Sequence, residues 1–215
     1  LRYRGIHLFH EIRGAEMIRV IGTGPGNIKY LTAEACKIIK SSPRIAAFGR
    51  ISKLAEQLGA KVIKIKRVED IMDIISEHES LDILASGDPC FFGIIEYLKR
   101  RGIEIDEVVP GLTSFQYMMA KLGKSWEGAQ FVSLHGREDY ISCVAAGTIV
   151  ILTDRLSAPS KISSELCSKG FSGRIYAGFN LSYPDEKIVV KSIGEDIENY
   201  SDLSVVVAEI AMDKG

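Results

Sequence analysis

The sequence predicts an α/β protein of two α/β domains, the N-terminal one on a largely parallel sheet and the C-terminal one on a mixed sheet. Three observations carry that prediction. From Met17 to Val109, short β-branched runs alternate with helical stretches, the pattern of strands joined by helical crossovers. Beyond Gln130, the last two strands are separated only by a turn, which favours antiparallel or mixed pairing. Between the halves, Gly123 to Gly128 forms a candidate hinge. The expected division is an N-terminal domain over residues 17–110, a linker with a helix over 111–125, and a C-terminal domain over 126–215.

Each element follows from local chemistry. Ile18 to Ile21 reads as the first strand, running into the loop Gly22-Thr23-Gly24-Pro25-Gly26-Asn27. Thr32 suits the N-cap of a helix from Ala33 to Lys40, with Ala35, Ile38 and Ile39 on one face. Arg44 to Phe48 is a strand, Ser52 to Leu58 a helix closed by Gly59, and Lys61 to Ile65 a strand. Val68 to Ser76 is helical, with Ile71, Ile74 and Ile75 inward. Leu81 to Ala85 is a strand ending in Ser86-Gly87-Asp88-Pro89. A helix is expected from Phe91 to Arg101, with Pro89 suited to its first turn and Gly102 closing it. Ile105 to Val109 is a strand, and Phe115 to Leu122 a helix. Gln130 to Leu134 and Thr148 to Thr153 read as strands, with a short helix near Asp139 to Ala145. Pro159 to Ser168 is a helix; Arg174 to Phe179, Lys187 to Lys191 and Leu203 to Ala208 are strands. Residues 1–16 differ in texture from the rest of the chain and are expected to be a leader outside the fold. They lack the sustained apolar region and small-residue cleavage site of a signal peptide.

Composition excludes several function classes. With 46% apolar and 26% charged residues, the chain can bury a real core. A formal net charge of -1 gives no electrostatic case for nucleic acid or an anionic membrane. No apolar run approaches the ~18 residues of a membrane span. Cys36, Cys90, Cys143 and Cys167 are scattered, with no C-x-x-C pair, and suit free thiols in a reducing, cytoplasmic compartment; no metal site is expected.

The motifs narrow the reading further. Gly22-x-Gly24 begins like a dinucleotide fingerprint, but Asn27 occupies the third glycine position. The second strand ends at Phe48-Gly49, without an acid for a ribose hydroxyl, so a nicotinamide site is disfavoured. Gly123-Lys124-Ser125 lacks the upstream glycine of a phosphate loop, where Met118 stands. Gly87 permits close approach of a ligand to the main chain. The Gly87-Asp88-Pro89 turn stands at the carboxyl end of a strand, where open α/β sheets bind ligands; an ordinary turn would look the same. Ser133-Leu134-His135-Gly136-Arg137 follows a strand; His135 is either structural or, with Arg137, a holder of carboxylates. Asn180-Leu181-Ser182-Tyr183-Pro184-Asp185-Glu186 is a polar turn between strands.

Taken in order, Gly22-Thr23-Gly24-Pro25-Gly26, Ser86-Gly87-Asp88-Pro89 with Phe92-Gly93, and Pro110-Gly111-Leu112-Thr113-Ser114 resemble the tetrapyrrole (corrin/porphyrin) methylases. The resemblance runs from Met17 to about Ala208. Within that family, Ser114-Phe115-Gln116, Leu122-Gly123-Lys124-Ser125-Trp126, the His135 stretch, Leu152-Thr153-Asp154 and the Asn180 turn look most like the cobalamin-pathway methylases of C-5 on a (cobalt-)precorrin. The resemblance implies S-adenosyl-L-methionine as cofactor, released as S-adenosylhomocysteine, in a cleft between the two domains. It implies cofactor contacts from Gly24, Pro25, Gly26, Gly87, Asp88, Pro89, Phe91, Thr113, Ser114, Thr153, Phe179 and Asn180. Phe179 departs from the glutamate expected there. His135, Arg137 and Tyr183 are the substrate-binding candidates, and Asp88 and His135 the catalytic ones. It further implies a homodimer and a separate C-15 methyltransferase/decarboxylase in the same pathway. The competing readings are a methylase of different regiochemistry, a diphthine synthase-like methylase, and a non-catalytic nucleotide-binding module.

Overall fold

The computed structural model describes residues 17–134, 144–153 and 157–212. Two five-stranded sheets organise them. In the first, β1 (Met17–Gly22), β2 (Ile45–Phe48), β3 (Val62–Ile65), β4 (Ser80–Ala85) and β5 (Glu107–Val109) lie in the order β3-β2-β4-β1-β5. Every pairing in it is parallel. The helices between these strands are α1 (Ala33–Ser41), α2 (Gly49–Gln57), α3 (Asp70–Ser76) and α4 (Ile95–Arg100).

A parallel sheet is buried on both faces, which explains the near-continuous apolar runs. Ile18, Val20, Leu81 and Ile83 point to one side, packed with α3 and α4. Ile21 and Leu84 point to the other, against Ala35 and Ile39 of α1 and Ala55 of α2. A largely buried ion pair crosses the middle of the sheet. Arg19 and Asp82 are in register on β1 and β4, and the guanidinium donates to both carboxylate oxygens at 2.6 and 2.9 Å. That bond raises the Arg19 pKa and holds the charge in place.

In the second sheet, β6 (Gln130–Ser133), β7 (Gly147–Leu152), β8 (Phe171–Phe179), β9 (Lys187–Ser192) and β10 (Ser204–Met212) lie in the order β6-β7-β10-β8-β9. β6 and β7 are parallel, and the other pairings are antiparallel, so the sheet is mixed as expected. Alternate residues again serve two cores. Ile149, Ile175, Val206 and Ala208 face α6 (Pro159–Ser168). Val150, Tyr176, Val205 and Val207 face α5 (Ser114–Leu122), whose Phe115, Met118 and Met119 are buried against them. Tyr30, Phe91 and Leu112, from loops of the first sheet, join that same cluster. The helix expected in a linker is therefore the element through which the two sheets share a core.

Several local expectations need correction, among them α2, which begins at Gly49 rather than Ser52, and β10, which runs on to Met212 rather than ending at Ala208. The helix after β4 begins at Ile95, not Phe91. Gly93 folds against the Pro89 carbonyl, where a Cβ would lie only 2.3 Å away, and Asp88 holds the Cys90 amide, so Pro89 enters a turn rather than a first helical turn. The third helix spans only Asp70–Ser76, because Arg67 and Asp70 close a turn before it. β8 begins at Phe171, three residues early, because Gly173 lets the strand continue hard against the Glu209 carbonyl of β10.

Candidate functional site

The carboxyl ends of β1, β4 and β5 bring three loops into direct backbone contact. Thr23 donates through both its amide and its hydroxyl to the Ala85 carbonyl, each at 2.9 Å. Gly24 and Gly87 then exchange backbone hydrogen bonds of 3.3 and 2.9 Å. Both glycines have left-handed backbone, φ 70° and 65°, which other residues adopt at a cost. Gly22 and Gly111 have a different reason to be glycine. A Cβ on Gly111 would stand 2.1 Å from the Gly87 carbonyl oxygen, and one on Gly22 would stand 2.6 Å from the Gly111 nitrogen.

Asp88 completes this junction. Its Oδ1 accepts from the Cys90 amide at 2.8 Å and its Oδ2 from the Gly111 amide at 3.2 Å. The carboxylate therefore ties the β4 turn to the loop after β5. Thr113 next caps α5 in a full capping box. Its hydroxyl accepts from the Gln116 amide, and Gln116 Oε1 accepts from the Thr113 amide at 2.9 Å. Ser114, the first residue of α5, opens onto the space above these loops.

That space is a cavity of about 1090 Å³ between the two sheets. Its far wall is Thr153 after β7, Ser204 at the start of β10, and Gly178 and Leu181 from the β8 end. Thr153 Oγ1 reaches the Ser204 carbonyl at 2.6 Å and its hydroxyl at 2.8 Å. A Cβ on Gly178 would collide with Leu181 and the Met118 sulfur, so glycine there keeps the wall flat. Phe48, Gly49 and Arg50, where β2 passes into α2, form the third side.

The turn carrying Tyr183 is held from below. Glu186 accepts from the Ser182 amide at 2.6 Å and pairs with Lys121 of α5 at 3.5 Å. Burial works to raise its pKa, but the Tyr117 hydroxyl, the Ser182 amide and Lys121 outweigh it and hold Glu186 below the usual carboxylate value. Burial, with Glu186 and Tyr30 alongside, pushes the Tyr117 hydroxyl well up. Among the described residues, the non-glycine positions with left-handed backbone are Phe92, Asn180 and Ser182. All three are on the cavity rim or its supporting turn, where such strain tends to gather at functional sites.

The structure sorts the residues singled out from sequence. Pro25, Gly87, Asp88 and Phe91 line the cavity from the first sheet's loops, Thr113 and Ser114 from the start of α5, and Thr153 and Tyr183 from the second sheet. Gly24, Gly26 and Pro89 are not among the residues that line the cavity. Gly24 supports Gly87, and Gly26 lies so close to the Tyr183 ring that a Cβ would come within 2.3 Å of it. Phe179 and Asn180 do not line the cavity. The Phe179 side chain is buried on the α6 face of β8, beside the Tyr200 ring, while its neighbour Gly178 takes the cavity face. Asn180 donates to Asp185 and accepts from Ser201 at 2.7 Å each, shaping its own turn. His135, Arg137 and residues 1–16 lie outside the described residues. Sequence reasoning missed Arg50, Ser204 and Asp202. The signal for Arg50 was available, because Phe48-Gly49-Arg50 follows a strand just as the other site loops do.

Among the described residues, no group of three His, Cys, Asp or Glu is placed to hold a metal ion, and no helix is long and apolar enough to cross a membrane. The family model described as tetrapyrrole (corrin/porphyrin) methylases matches residues 17–196. A probable cobalt-precorrin-7 C(5)-methyltransferase of Methanocaldococcus jannaschii is 29% identical over 209 residues, covering 90% of this chain and 98% of that protein. The cobalt-precorrin-7 C(5)-methyltransferase of Salmonella typhimurium is 27% identical over 193 residues, covering 85% and 95%. Among solved structures, the uroporphyrin-III C-methyltransferase of Thermus thermophilus complexed with S-adenyl homocysteine superposes with a TM-score of 0.73 at 21% identity, covering 89% of this chain and 96% of that one.

Proposed function

The chain belongs to the tetrapyrrole (corrin/porphyrin) methylases, S-adenosyl-L-methionine-dependent methyltransferases, and from that premise we propose that it methylates C-5 of a cobalt-precorrin in cobalamin biosynthesis. The observation that carries the reading is the cavity. It lies at the carboxyl ends of β1, β4 and β5, and the main chain of Gly87 is bare on that wall. The choice of C-5 is supported by two relatives of that name that match along nearly their whole length.

The residues present suit such a cofactor. Gly87 offers bare main chain to a ring, and Thr153 and Ser204 line the wall from the second sheet. The start of α5, with Ser114, presents amides and the positive end of a helix dipole to a carboxylate. When bound, S-adenosyl-L-methionine supplies a methyl group already activated on a sulfonium. The chain's task is then alignment of donor and acceptor, an effect able to supply about 7–11 kcal/mol of the barrier. Asp88, with both oxygens on backbone amides, fixes the loops that align the donor, and its role here is positioning rather than proton transfer. His135, Arg137 and Tyr183 remain our candidates for the substrate side, on the strength of the family resemblance and, for Tyr183, its place at the cavity. The same resemblance supports a homodimer, and the scattered cysteines a cytoplasmic protein; sedimentation equilibrium and cell fractionation test the two.

The reading is tested with the purified full chain. Calorimetry should show S-adenosylhomocysteine binding. Incubation of cobalt-precorrin-7 with methyl-labelled S-adenosyl-L-methionine should then give one new labelled methyl, assigned to C-5 by NMR. A label at another ring carbon, or no transfer by protein that binds S-adenosylhomocysteine, refutes the assignment.

A further inference from the structure

We propose that Arg50 recognises a carboxylate of the acceptor and so selects a polycarboxylated tetrapyrrole; this deepens the methyl-transfer reading above and rests on it. Arg50 lines the cavity yet is exposed, so it stands at the solvent end of the space. Among the described residues it makes no hydrogen bond and no ion pair, although Asp88 and Asp202 line the same cavity. Asp88 is already engaged by two backbone amides. The contact Arg50 does make is with the Tyr183 ring, whose centroid lies 5.7 Å from the guanidinium carbon. Tyr183 is itself seated against Gly26 on one side. A guanidinium resting on an aromatic face keeps its donor edge free and loses little freedom when an anion arrives.

Helix stability does not explain this position. Arg50 is the second residue of α2, where the helix dipole disfavours a cation, and the first turn holds no acidic residue to offset it. Phe48 provides no side-chain cap, so the first amides of α2 carry no capping partner of that kind. Around Gly49 nothing lies within 4 Å of the place a Cβ would take, which leaves the backbone approachable from the cavity. A fork of five donors, uncapped helix amides and open space meet at the Gly49-Arg50 wall of the cavity, which Phe92 also lines. Phe92 is exposed and held in left-handed backbone, presenting an apolar ring. Apolar face and anion-binding edge together fit a flat macrocycle bearing acidic side chains.

The test compares wild type with Arg50→Gln and Arg50→Lys, using turnover of cobalt-precorrin-7 and equilibrium titration of uroporphyrin III into S-adenosylhomocysteine-loaded protein. Loss of one charge-assisted contact should raise KM, and weaken uroporphyrin binding, by about 10- to 100-fold in Arg50→Gln, with kcat changing far less. Arg50→Lys should recover part of the loss, and added salt should weaken wild-type binding more than that of Arg50→Gln. The affinity for S-adenosylhomocysteine reports that the other walls are intact. Unchanged KM and uroporphyrin affinity in Arg50→Gln would overturn the assignment while leaving methyl transfer standing. Wild type that binds tetrapyrrole through Arg50 but methylates another carbon would overturn the C-5 reading alone. Wild type that neither methylates nor binds a tetrapyrrole would sink both.

Discussion

Gly111→Ala separates two reasons for a glycine that look identical in sequence. Gly111 needs no left-handed backbone; what it needs is space. The added Cβ would lie 2.1 Å from the Gly87 carbonyl oxygen and 2.9 Å from the Gly22 backbone. These are main-chain atoms of two other loops, so no side-chain rotation relieves the overlap. Forcing a methyl into a packed site typically costs about 1–3 kcal/mol. The loops can part only by stretching the Gly111 amide bond to Asp88, a charge-assisted bond worth about 1.5–3 kcal/mol. The expected loss is therefore about 3 kcal/mol or more. Gly59→Ala is the matched comparison. It has φ 86° but open space, so it should lose only about 1–2 kcal/mol from backbone strain. Urea unfolding measures both, and calorimetry with S-adenosylhomocysteine measures the site. Binding should weaken in Gly111→Ala and stay unchanged in Gly59→Ala. If Gly111→Ala unfolds no more easily than Gly59→Ala and binds as wild type does, the three-loop junction is not what shapes the cavity.

Three further outcomes rest on the same contacts. Asp88→Asn keeps one acceptor but turns an amide NH2 toward either Cys90 or Gly111, so unfolding should become easier by about 1–3 kcal/mol and S-adenosylhomocysteine affinity should drop; equal values for mutant and wild type would remove the stapling role. Thr153→Val preserves shape but leaves the Ser204 carbonyl without its hydroxyl donor, and should reduce stability by about 1 kcal/mol in thermal unfolding. Glu209 has its pKa lowered chiefly by the Lys124 ammonium at 2.7 Å, with the Tyr176 hydroxyl adding to it. A depressed carboxylate contributes stability above its unfolded pKa and loses it as pH falls through the folded value. Unfolding midpoints should therefore fall on acidification below about pH 5, less steeply in Glu209→Gln. The group is partly exposed, so salt should blunt the effect.

Much of the fold was legible because its elements are locally coded. The Thr32 cap, the buried Ile71 and Ile75 of α3, and the apolar runs of β8 and β10 each depend on a few neighbouring residues. What failed was also physical. The helix expected from Phe91 starts late because Gly93 and Pro89 fold onto each other, and no propensity of Phe91 or Phe92 announces that turn. Gly87 reads from sequence as room for a ligand, but nothing local announces that at Gly22 and Gly111 the space is taken by the other loops. That relation joins residues far apart in sequence and emerges only once the parallel order β4-β1-β5 is known. At the end of β8 a step of one residue moves a side chain to the other face, so the Phe179 ring enters the core and Gly178 meets the cavity.

The site's polar groups divide by whether they are already satisfied. Asp88 is held by two amides, Thr113 by its capping box, and Thr153 by Ser204. These groups set the shape of the cavity before any ligand arrives. Their loss should therefore register as lost stability together with lost cofactor affinity. Arg50 is the opposite case, a charge at the rim with a ring beneath it and no polar partner among the described residues. Its loss should leave stability untouched and show only when an anionic acceptor is present. A pre-formed main-chain cradle for the donor and an unpaired side chain for the acceptor is an arrangement in which substrate choice can change by substitution at the rim without disturbing the fold that holds the methyl donor.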